Sequence, residues 1–274
     1  MPDPNAAQRE QWNGEGGERW VADADRRDQV LEPVLVELLQ AARLQPGDDV
    51  LDVGCGCGPT TIAAHRIVGP GTAMGFDISA LMLEVASKRT AGTEGISFVD
   101  ADAQTYAFEP RFDVVIGRFG TMFFDDPVAA HRNLHSALRP GGRLCLATWQ
   151  PLEANDWLLV PGAVLLEYGS MPASDPGPGM FAQANVDEVT EVLTAAGWND
   201  ITVTPRTVML TLGANAEEAT EYLADTGIAR RVLETIEPER RPEALAAVTT
   251  LLANHGGDAG VQLGAGINIV RARA

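Results

Sequence analysis

Acidic side chains lie at the carboxyl ends of three consecutive strands that the sequence predicts. Asp52 belongs to the first strand, at 49–53; Asp77 ends the second, and Asp102 follows the third. In an open sheet of parallel strands, ligands bind outside these ends. A carboxylate at Asp77 can accept hydrogen bonds from both hydroxyls of a ribose, and one at Asp102 can accept from an adenine amino group. Ile78 is placed to pack against a flat base, so the constellation predicts a nucleoside site.

The first strand runs into a glycine-rich turn that contains Gly54, Gly56 and Gly58. Glycines let the backbone come close to a ligand. The dinucleotide fingerprint Gly-x-Gly-x-x-Gly fails, because its last position is Pro59. With Asp52 two residues before the first glycine, the turn suits a ligand with an amino group and a carboxylate better than a diphosphate.

The elements that must position these residues alternate between strand-like and helix-like patterns. Such alternation predicts an α/β fold, with a mostly parallel sheet and helices on both faces. The predicted strands are 49–53, 72–77, 96–99, 112–116, 143–149, 201–212 and 266–272. The predicted helices are 30–42, 60–68, 79–90, 127–138, 156–168, 185–196, 214–236 and 242–253.

The chain is expected to have three parts. Residues 1–45 form an amino-terminal lid segment and helix, and residues 46–150 form the ligand-binding core. Residues 151–274 complete the sheet and carry a helical cap, inserted at approximately 151–184 and 214–258. Residues 170–180 are rich in proline and glycine and predict a mobile loop.

Composition excludes several classes of protein. The 274 residues carry a net charge of −18, and an acidic surface repels phosphate backbones and anionic lipid. We therefore expect neither nucleic acid nor a membrane as partner, and no apolar stretch approaches the roughly 20 residues of a spanning helix. The start of the chain lacks a signal-peptide pattern, and the 3 cysteines are an odd number. We expect reduced thiols, a cytoplasmic location and no metal site.

Few residues stand out as a general base. His131 and His135 lie four positions apart on one predicted helix, and they either serve as a base or belong to a solvated helix face. Asp125 and Asp126 lie close to the expected site, but Asp126-Pro127 is also a common helix start. The catalytic residue is left open on this evidence.

Five segments, in this order, resemble class I S-adenosylmethionine-dependent methyltransferases, in particular the small-molecule enzymes similar to those of ubiquinone and menaquinone biosynthesis. The segments read VLDVGCGCGPTT, GFDISALML, FVDADAQ, FDVVIGRFGTMFF and LRPGGRLCLATW. The resemblance covers roughly residues 49–150. It implies a Rossmann-like sheet of seven strands with a reversed last strand, S-adenosylmethionine as cofactor and S-adenosylhomocysteine as product.

The resemblance also implies roles for the site residues. The glycine turn would lie against the methionine part of the cofactor, Asp52 would order that turn, and Asp77 would take the ribose hydroxyls. Ile78 would pack on the adenine, and Asp102 with Ala103 would hold its edge. Arg118 would lie where methyl group and acceptor meet. Trp12 and Trp20, in a polar segment before the first predicted helix, suggest a lid over the cofactor.

The acceptor is expected to be a small organic molecule in an apolar pocket. Its expected lining residues are Trp12, Phe119, Met122, Phe123, Trp149, Trp157, Tyr168 and Phe181. Enzymes that methylate base amines often carry an Asn/Asp-Pro-Pro-aromatic run after the fourth strand, where this chain has Gly117-Arg118-Phe119-Gly120. That difference argues against a nucleic-acid acceptor.

Three other functions stay open, two of which use the same cofactor. One is a protein that binds S-adenosylmethionine without methylating, such as a regulator or partner subunit, or a member that catalyses a non-methyl reaction. The last is an NAD-dependent oxidoreductase, and Pro59 argues against it because it replaces the last glycine of the dinucleotide fingerprint. The sequence also leaves open whether the chain forms a homodimer, and whether O, N or C is methylated.

Overall fold

The fold is a mixed α/β sheet flanked by helices. A computed structural model describes residues 4–171 and 177–274. The helices are α1 Ala6–Asn13, α2 Glu15–Ala22, α3 Ala24–Val30, α4 Glu32–Ala42, α5 Pro59–Val68, α6 Ala80–Arg89, α7 Pro127–Ser136, α8 Asp156–Leu166, α9 Val186–Ala195, α10 Ala216–Ala224, α11 Gly227–Thr235 and α12 Arg241–Ala253. The strands are β1 Val50–Val53, β2 Ala73–Asp77, β3 Ile96–Asp100, β4 Phe112–Arg118, β5 Leu138–Trp149, β6 Asn199–Gly213, β7 Gly256–Gly257 and β8 Gly260–Arg273.

The strand order across the sheet is β3-β2-β1-β4-β5-β8-β6, and the short β7 pairs with β8. Strands β1 to β5 pair in parallel, whereas β8 is antiparallel to β5. The predicted seven-stranded, mostly parallel sheet with a reversed last strand is confirmed; β7 is a two-residue addition. Because the order reverses at β1, the crevice between the loops after β1 and β4 is where such sheets bind ligands.

Local sequence explains why the elements begin where they do. All four residues of β1 are buried, as expected for a central parallel strand covered on both faces. Helix α5 starts with Pro59 directly after Gly58, which has φ +86°. Ser79 Oγ caps α6 by accepting from the Met82 N–H, and Asp126 caps α7 by accepting from the Ala129 N–H. Each cap places the preceding loop at the carboxyl edge.

The amino-terminal segment is more helical than expected. Trp12 and Trp20 were placed before the first helix, and this was wrong: they lie on α1 and α2. The glycines there serve close packing, since a Cβ on Gly17 would lie 2.0 Å from the Trp12 carbonyl oxygen. The helix expected at 30–42 is interrupted at Leu31, which separates α3 from α4.

Two further predictions concern later parts of the chain, the helix at 214–236 and the loop at 170–180. The long helix expected at 214–236 is broken between α10 and α11, where Thr226 has extended backbone. Of the loop expected at 170–180, residues 172–176 lie outside the described residues. Within the described part of the chain, no helix combines the length and apolar character that crossing a membrane requires.

The described residues divide into two compact units. The first comprises 4–149, 177–206 and 267–274, and its core includes Leu51, Phe76 and Leu146. The second comprises 150–171 and 207–266. The glycine turn and the strand-end acids all belong to the first unit.

A substitution at Gly120 should show how much the close approach of two loops matters. Gly120 has φ −77°, which any residue adopts, but its Cβ would lie 2.6 Å from the Gly54 Cα. We expect Gly120→Ala to lower the free energy of unfolding by about 1–3 kcal/mol, because backbone atoms must separate. Urea denaturation measures this.

The matched control is Gly162→Ala in α8, where an added Cβ meets nothing within 4 Å. Alanine there should stabilise the helix by up to about 1 kcal/mol. Equal effects of the two substitutions would contradict the steric account.

Candidate functional site

The turn after β1 has a backbone that only glycines adopt easily. Gly54, Gly56 and Gly58 have φ of +67°, +53° and +86°. A Cβ on Gly54 would lie 2.4 Å from the Gly120 Cα, so the turn packs directly on the loop after β4. At Gly56 the nearest atoms would be 3.5 Å away, which is ordinary contact. The turn therefore packs tightly against the loop after β4 at Gly54, whereas Gly56 has room for another atom beside it.

Asp77, at the end of β2, holds this turn. Its Oδ2 accepts a hydrogen bond from the Gly56 N–H at 2.8 Å, and its Oδ1 accepts from the Ser79 N–H at 2.9 Å. Burial raises the pKa of Asp77, and the backbone N–H groups of Ser79 and Gly56 oppose that rise. Since each carboxylate oxygen can accept two hydrogen bonds and the Ile78 N–H is a third backbone donor, Asp77 keeps capacity for a further donor.

Asp52 is fully buried at the carboxyl end of β1. Its Oδ2 accepts from the Thr61 hydroxyl at 2.6 Å, whereas its Oδ1 has no hydrogen-bond partner among residues 4–171 and 177–274. Burial raises the pKa of Asp52 to about 7, against the opposing influence of Thr61 and of the Arg118 charge. A buried oxygen without a donor is costly, and it marks a place where a ligand donor would be stabilised.

Asp102 and Ala103 follow β3 and are both buried. Asp102 Oδ1 accepts from the Gln104 N–H at 2.8 Å, and its Oδ2 accepts from the Asn5 side-chain amide at 2.8 Å. The Ala103 carbonyl accepts from Asn133 of α7. The third strand-end acid is therefore oriented by groups from two different parts of the chain.

Helix α1 lies against the loop after β2. The Ile78 carbonyl accepts from Arg9 at 3.2 Å and from Asn13 at 2.8 Å, and the Trp12 carbonyl accepts from the Ser79 hydroxyl at 2.6 Å. The Trp12 ring makes edge contacts with Trp20 and with Phe123, at centroid distances of 6.0 and 5.5 Å. In the first unit, the amino-terminal helices thus cover the loops that follow β2 and β4.

The residues after β4 combine a charge with aromatic rings. Arg118 is nearly buried and contacts Asp28 at 3.4 Å and the Leu31 carbonyl at 3.4 Å. Phe119 has φ +65°, an uncommon backbone conformation for a bulky residue, and its ring stacks on Trp149 at 3.9 Å. Met122 is buried in the short 3-10 turn that follows.

The histidines on α7 do not form a solvated face. His131 is 2% exposed and its Nε2 lies 3.1 Å from the side-chain nitrogen of Gln183. Gln183 is oriented by Thr121, whose hydroxyl donates to its oxygen and whose carbonyl accepts from its nitrogen. Burial lowers the pKa of His131 to about 4. Since the Nε2 lone pair accepts from Gln183, His131 is poorly placed to take a proton from a substrate.

Other candidate residues have separate environments. The His135 ring packs edge-on against Trp198 at 5.0 Å. Asp125 is exposed, and its N–H donates to Asn5. Cys55, Cys57 and Cys145 are free and buried, and burial raises the thiol pKa of Cys57 to about 11 and that of Cys145 to about 12.

Three expected pocket residues lie late in the chain. Phe181 belongs to the first unit and is half-buried. Trp157 and Tyr168 belong to the second unit and are held within it: the Trp157 N–H donates to Asn155 at 3.1 Å, and the Arg240 guanidinium lies 5.1 Å from the Tyr168 ring centroid.

Several site residues escaped the sequence analysis. Asn5, Thr61, Gln104 and Gln183 orient the acids and the histidine, and each is a neutral polar residue. Thr61 and Gln104 carried a usable signal, because they end the segments VLDVGCGCGPTT and FVDADAQ, whereas Asn5 and Gln183 lie outside the motif segments.

A sheet of this order, with a glycine turn and strand-end acids at its carboxyl edge, defines a Rossmann-like α/β protein. Residues 50–142 match the family model described as "Methyltransferase domain". The chain therefore contains a methyltransferase domain of class I, the S-adenosylmethionine-dependent type, and the resemblance seen in the motifs is confirmed.

The chain is similar to the demethylmenaquinone methyltransferase of Staphylococcus aureus strain JH9, with 40% identity over 111 residues. The match covers 39% of this chain and 46% of that protein, so the chain spans about half the length of the curated relatives it matches.

Two solved structures are similar in fold. The Haemonchus contortus phosphoethanolamine N-methyltransferase 2, in complex with phosphomonomethylethanolamine and S-adenosylhomocysteine, has a TM-score of 0.57 and 17% identity, over 100% of this chain and 60% of that one. The [4+2]-cyclase SpnF has a TM-score of 0.53 and 21% identity, over 88% of this chain and 80% of that one.

The state of His131 can be tested by NMR. We expect its ring resonances to show no titration between pH 5 and 8 in the folded protein, because burial lowers its pKa to about 4. The unfolded chain then binds more protons between pH 4 and 6.5, so His131 should make the free energy of unfolding fall as the pH drops through that window.

The same ring in urea serves as the control, with a midpoint near 6.5. A midpoint near that value in the folded protein would mean that the ring is solvated, against the structure.

Proposed function

We propose that this protein binds S-adenosylmethionine at the carboxyl edge of β1 to β4 and transfers its methyl group to a small organic acceptor. The observation that carries the proposal is the set of acids at three consecutive strand ends, Asp52, Asp77 and Asp102, around a glycine turn. The methyltransferase domain match spans all three.

The residues present fit this cofactor chemically. The unsatisfied Asp52 Oδ1 needs a donor, and the ammonium group of the methionine part is one. Asp77 keeps acceptor capacity beyond its backbone donors, which suits the hydroxyls of a ribose. Acidic groups also stabilise a cationic ligand in a partly buried site.

The remaining cofactor residues follow from their places around these acids. We assign the methionine part to Gly54, Gly56 and Gly58, and the adenine face to Ile78. The adenine edge is assigned to Asp102 and Ala103. Trp20, whose indole nitrogen would lie 4.0 Å from a Cβ on Gly56, and Arg118, whose charge acts on Asp52, are assigned to the border of the site.

The bound cofactor would supply an electrophilic methyl group on its sulfonium. The protein's part is then to align the acceptor and exclude water, which alone accelerates a displacement strongly. Phe119 and Met122 are buried after β4, and the Phe119 ring stacks on Trp149 at the end of β5. Trp12 lies against the half-buried Phe123. We assign this apolar cluster to the border of the acceptor site. We infer that helices α1 and α2 act as the lid over this site.

We do not assign acid–base catalysis to His131. Burial and the hydrogen bond with Gln183 remove His131 from this role. The acceptor is therefore expected to carry a group that is nucleophilic without losing a proton to His131. The alternative is an acceptor whose proton passes through water to the exposed Asp125.

The cofactor assignment can be tested by calorimetric titration. We expect S-adenosylhomocysteine to bind with micromolar affinity and NADH not to bind. Asp77→Ala should weaken S-adenosylhomocysteine at least about tenfold, since hydrogen bonds to a charged group contribute about 1.5–3 kcal/mol each. Glu94→Ala, an exposed acid just before β3, is the matched control and should change nothing.

Each outcome separates the candidate functions. Binding of NADH alone would make the protein an oxidoreductase. Binding of S-adenosylhomocysteine justifies a search for acceptors that gain about 14 daltons, the mass of one methyl replacing one hydrogen. A product without that gain would favour a non-methyl reaction; the fold alone does not decide, because SpnF is named a cyclase.

A second test uses the proton on Asp52. Its pKa of about 7 means that the carboxyl is half protonated near neutral pH, and a bound ammonium group favours the ionised form. Wild-type affinity for S-adenosylhomocysteine should therefore gain about tenfold from pH 6 to pH 8, relative to Asp52→Asn. Comparing the two proteins cancels the titration of the ligand itself. A ratio that does not change with pH would argue that Asp52 does not meet the ammonium group.

A further inference from the structure

Asn5 has a buried side chain, and its position at the start of a helix does not explain this burial. It is 4% exposed and precedes α1, where asparagine commonly caps a helix. Its side chain makes no cap hydrogen bond. The amide instead contacts residues that lie 97 and more positions further along the chain.

Both ends of the Asn5 amide are used. Its nitrogen donates to Asp102 Oδ2 at 2.8 Å and to Gln104 Oε1 at 3.3 Å, and its oxygen accepts from the Asp125 N–H at 2.9 Å. Gln104 Oε1 also accepts from the Asp126 N–H at 3.2 Å. One side chain thus connects the loop after β3 to the loop after β4.

The contact fixes the direction of the Asp102 carboxylate. One oxygen is held by the Gln104 N–H and the other by Asn5, so the group cannot rotate without breaking a hydrogen bond. Each oxygen retains capacity for one more donor. A carboxylate held in this way is prepared to accept from a ligand amine without first being ordered.

We infer that Asn5 is a positioning residue: it orients Asp102 toward the exocyclic amine of the cofactor's adenine and so sets the preference for adenine. The inference rests on the proposed binding of S-adenosylmethionine. It adds a determinant of base specificity that directly precedes α1, outside the residues matched by the methyltransferase domain.

The test compares S-adenosylhomocysteine with S-inosylhomocysteine, in which an oxygen replaces the amine. That oxygen would face the Asp102 carboxylate as a second acceptor, so wild-type protein should prefer the adenine ligand at least tenfold. Asn5→Ala, and Asn5→Asp at pH 8, should reduce this preference to threefold or less. Asn5→Asp keeps an oxygen for the Asp125 N–H and removes the donor to Asp102.

Asn13→Ala is the matched control. Asn13 also joins α1 to a site loop by two hydrogen bonds, to the Ile78 carbonyl and from the Ala80 N–H, but it does not contact Asp102. Its loss should weaken both ligands equally and keep their ratio. A general loosening of α1 would act in the same way, so the ratio separates positioning from a structural role.

Three results would overturn the inference. An unchanged ratio in both Asn5 variants would make the residue structural. A wild-type protein that binds the two ligands equally would remove the role of Asp102, while leaving cofactor binding intact. A wild-type protein that binds neither ligand would overturn the proposed function, and the inference with it.

Discussion

The whole site depends on the contact between two glycines, Gly54 after β1 and Gly120 after β4. A Cβ on either would lie 2.4–2.6 Å from the other's Cα. Side chains of any size would separate the loop that follows Asp52 and β1 from the loop that carries Phe119. The contact therefore limits how far Asp52 can lie from Phe119.

Much of this arrangement could be predicted from the sequence, because the strand–helix unit recurs along the chain. Strands and helices alternate, so Asp52, Asp77 and Asp102 could be placed at one edge of the sheet before their surroundings were known. Helix starts were equally predictable where a cap is local, as at Ser79 and Asp126. The roles assigned to these acids stay predictions until a ligand is measured.

What the sequence could not reveal depends on partners far apart in the chain. Asn5 meets Asp102 only after α1 has packed on the core, and Gln183 meets His131 across 52 positions. Periodicity on one helix says nothing about the segment that covers it, so a base and a solvated face were the alternatives for His131, and its burial could not be predicted. The role of Gly17 in α2 is hidden for the same reason, since only the folded chain brings it against the Trp12 carbonyl oxygen of α1.

The backbone of Phe119 has a consequence for the proposed acceptor site. Holding a non-glycine residue at positive φ costs about 1–3 kcal/mol, which folding supplies through the surrounding packing. The ring is thereby stacked on Trp149 before any molecule arrives. These two rings would then lose little conformational entropy when the proposed acceptor binds. They would select the acceptor by a shape that is already fixed, without rearranging around it.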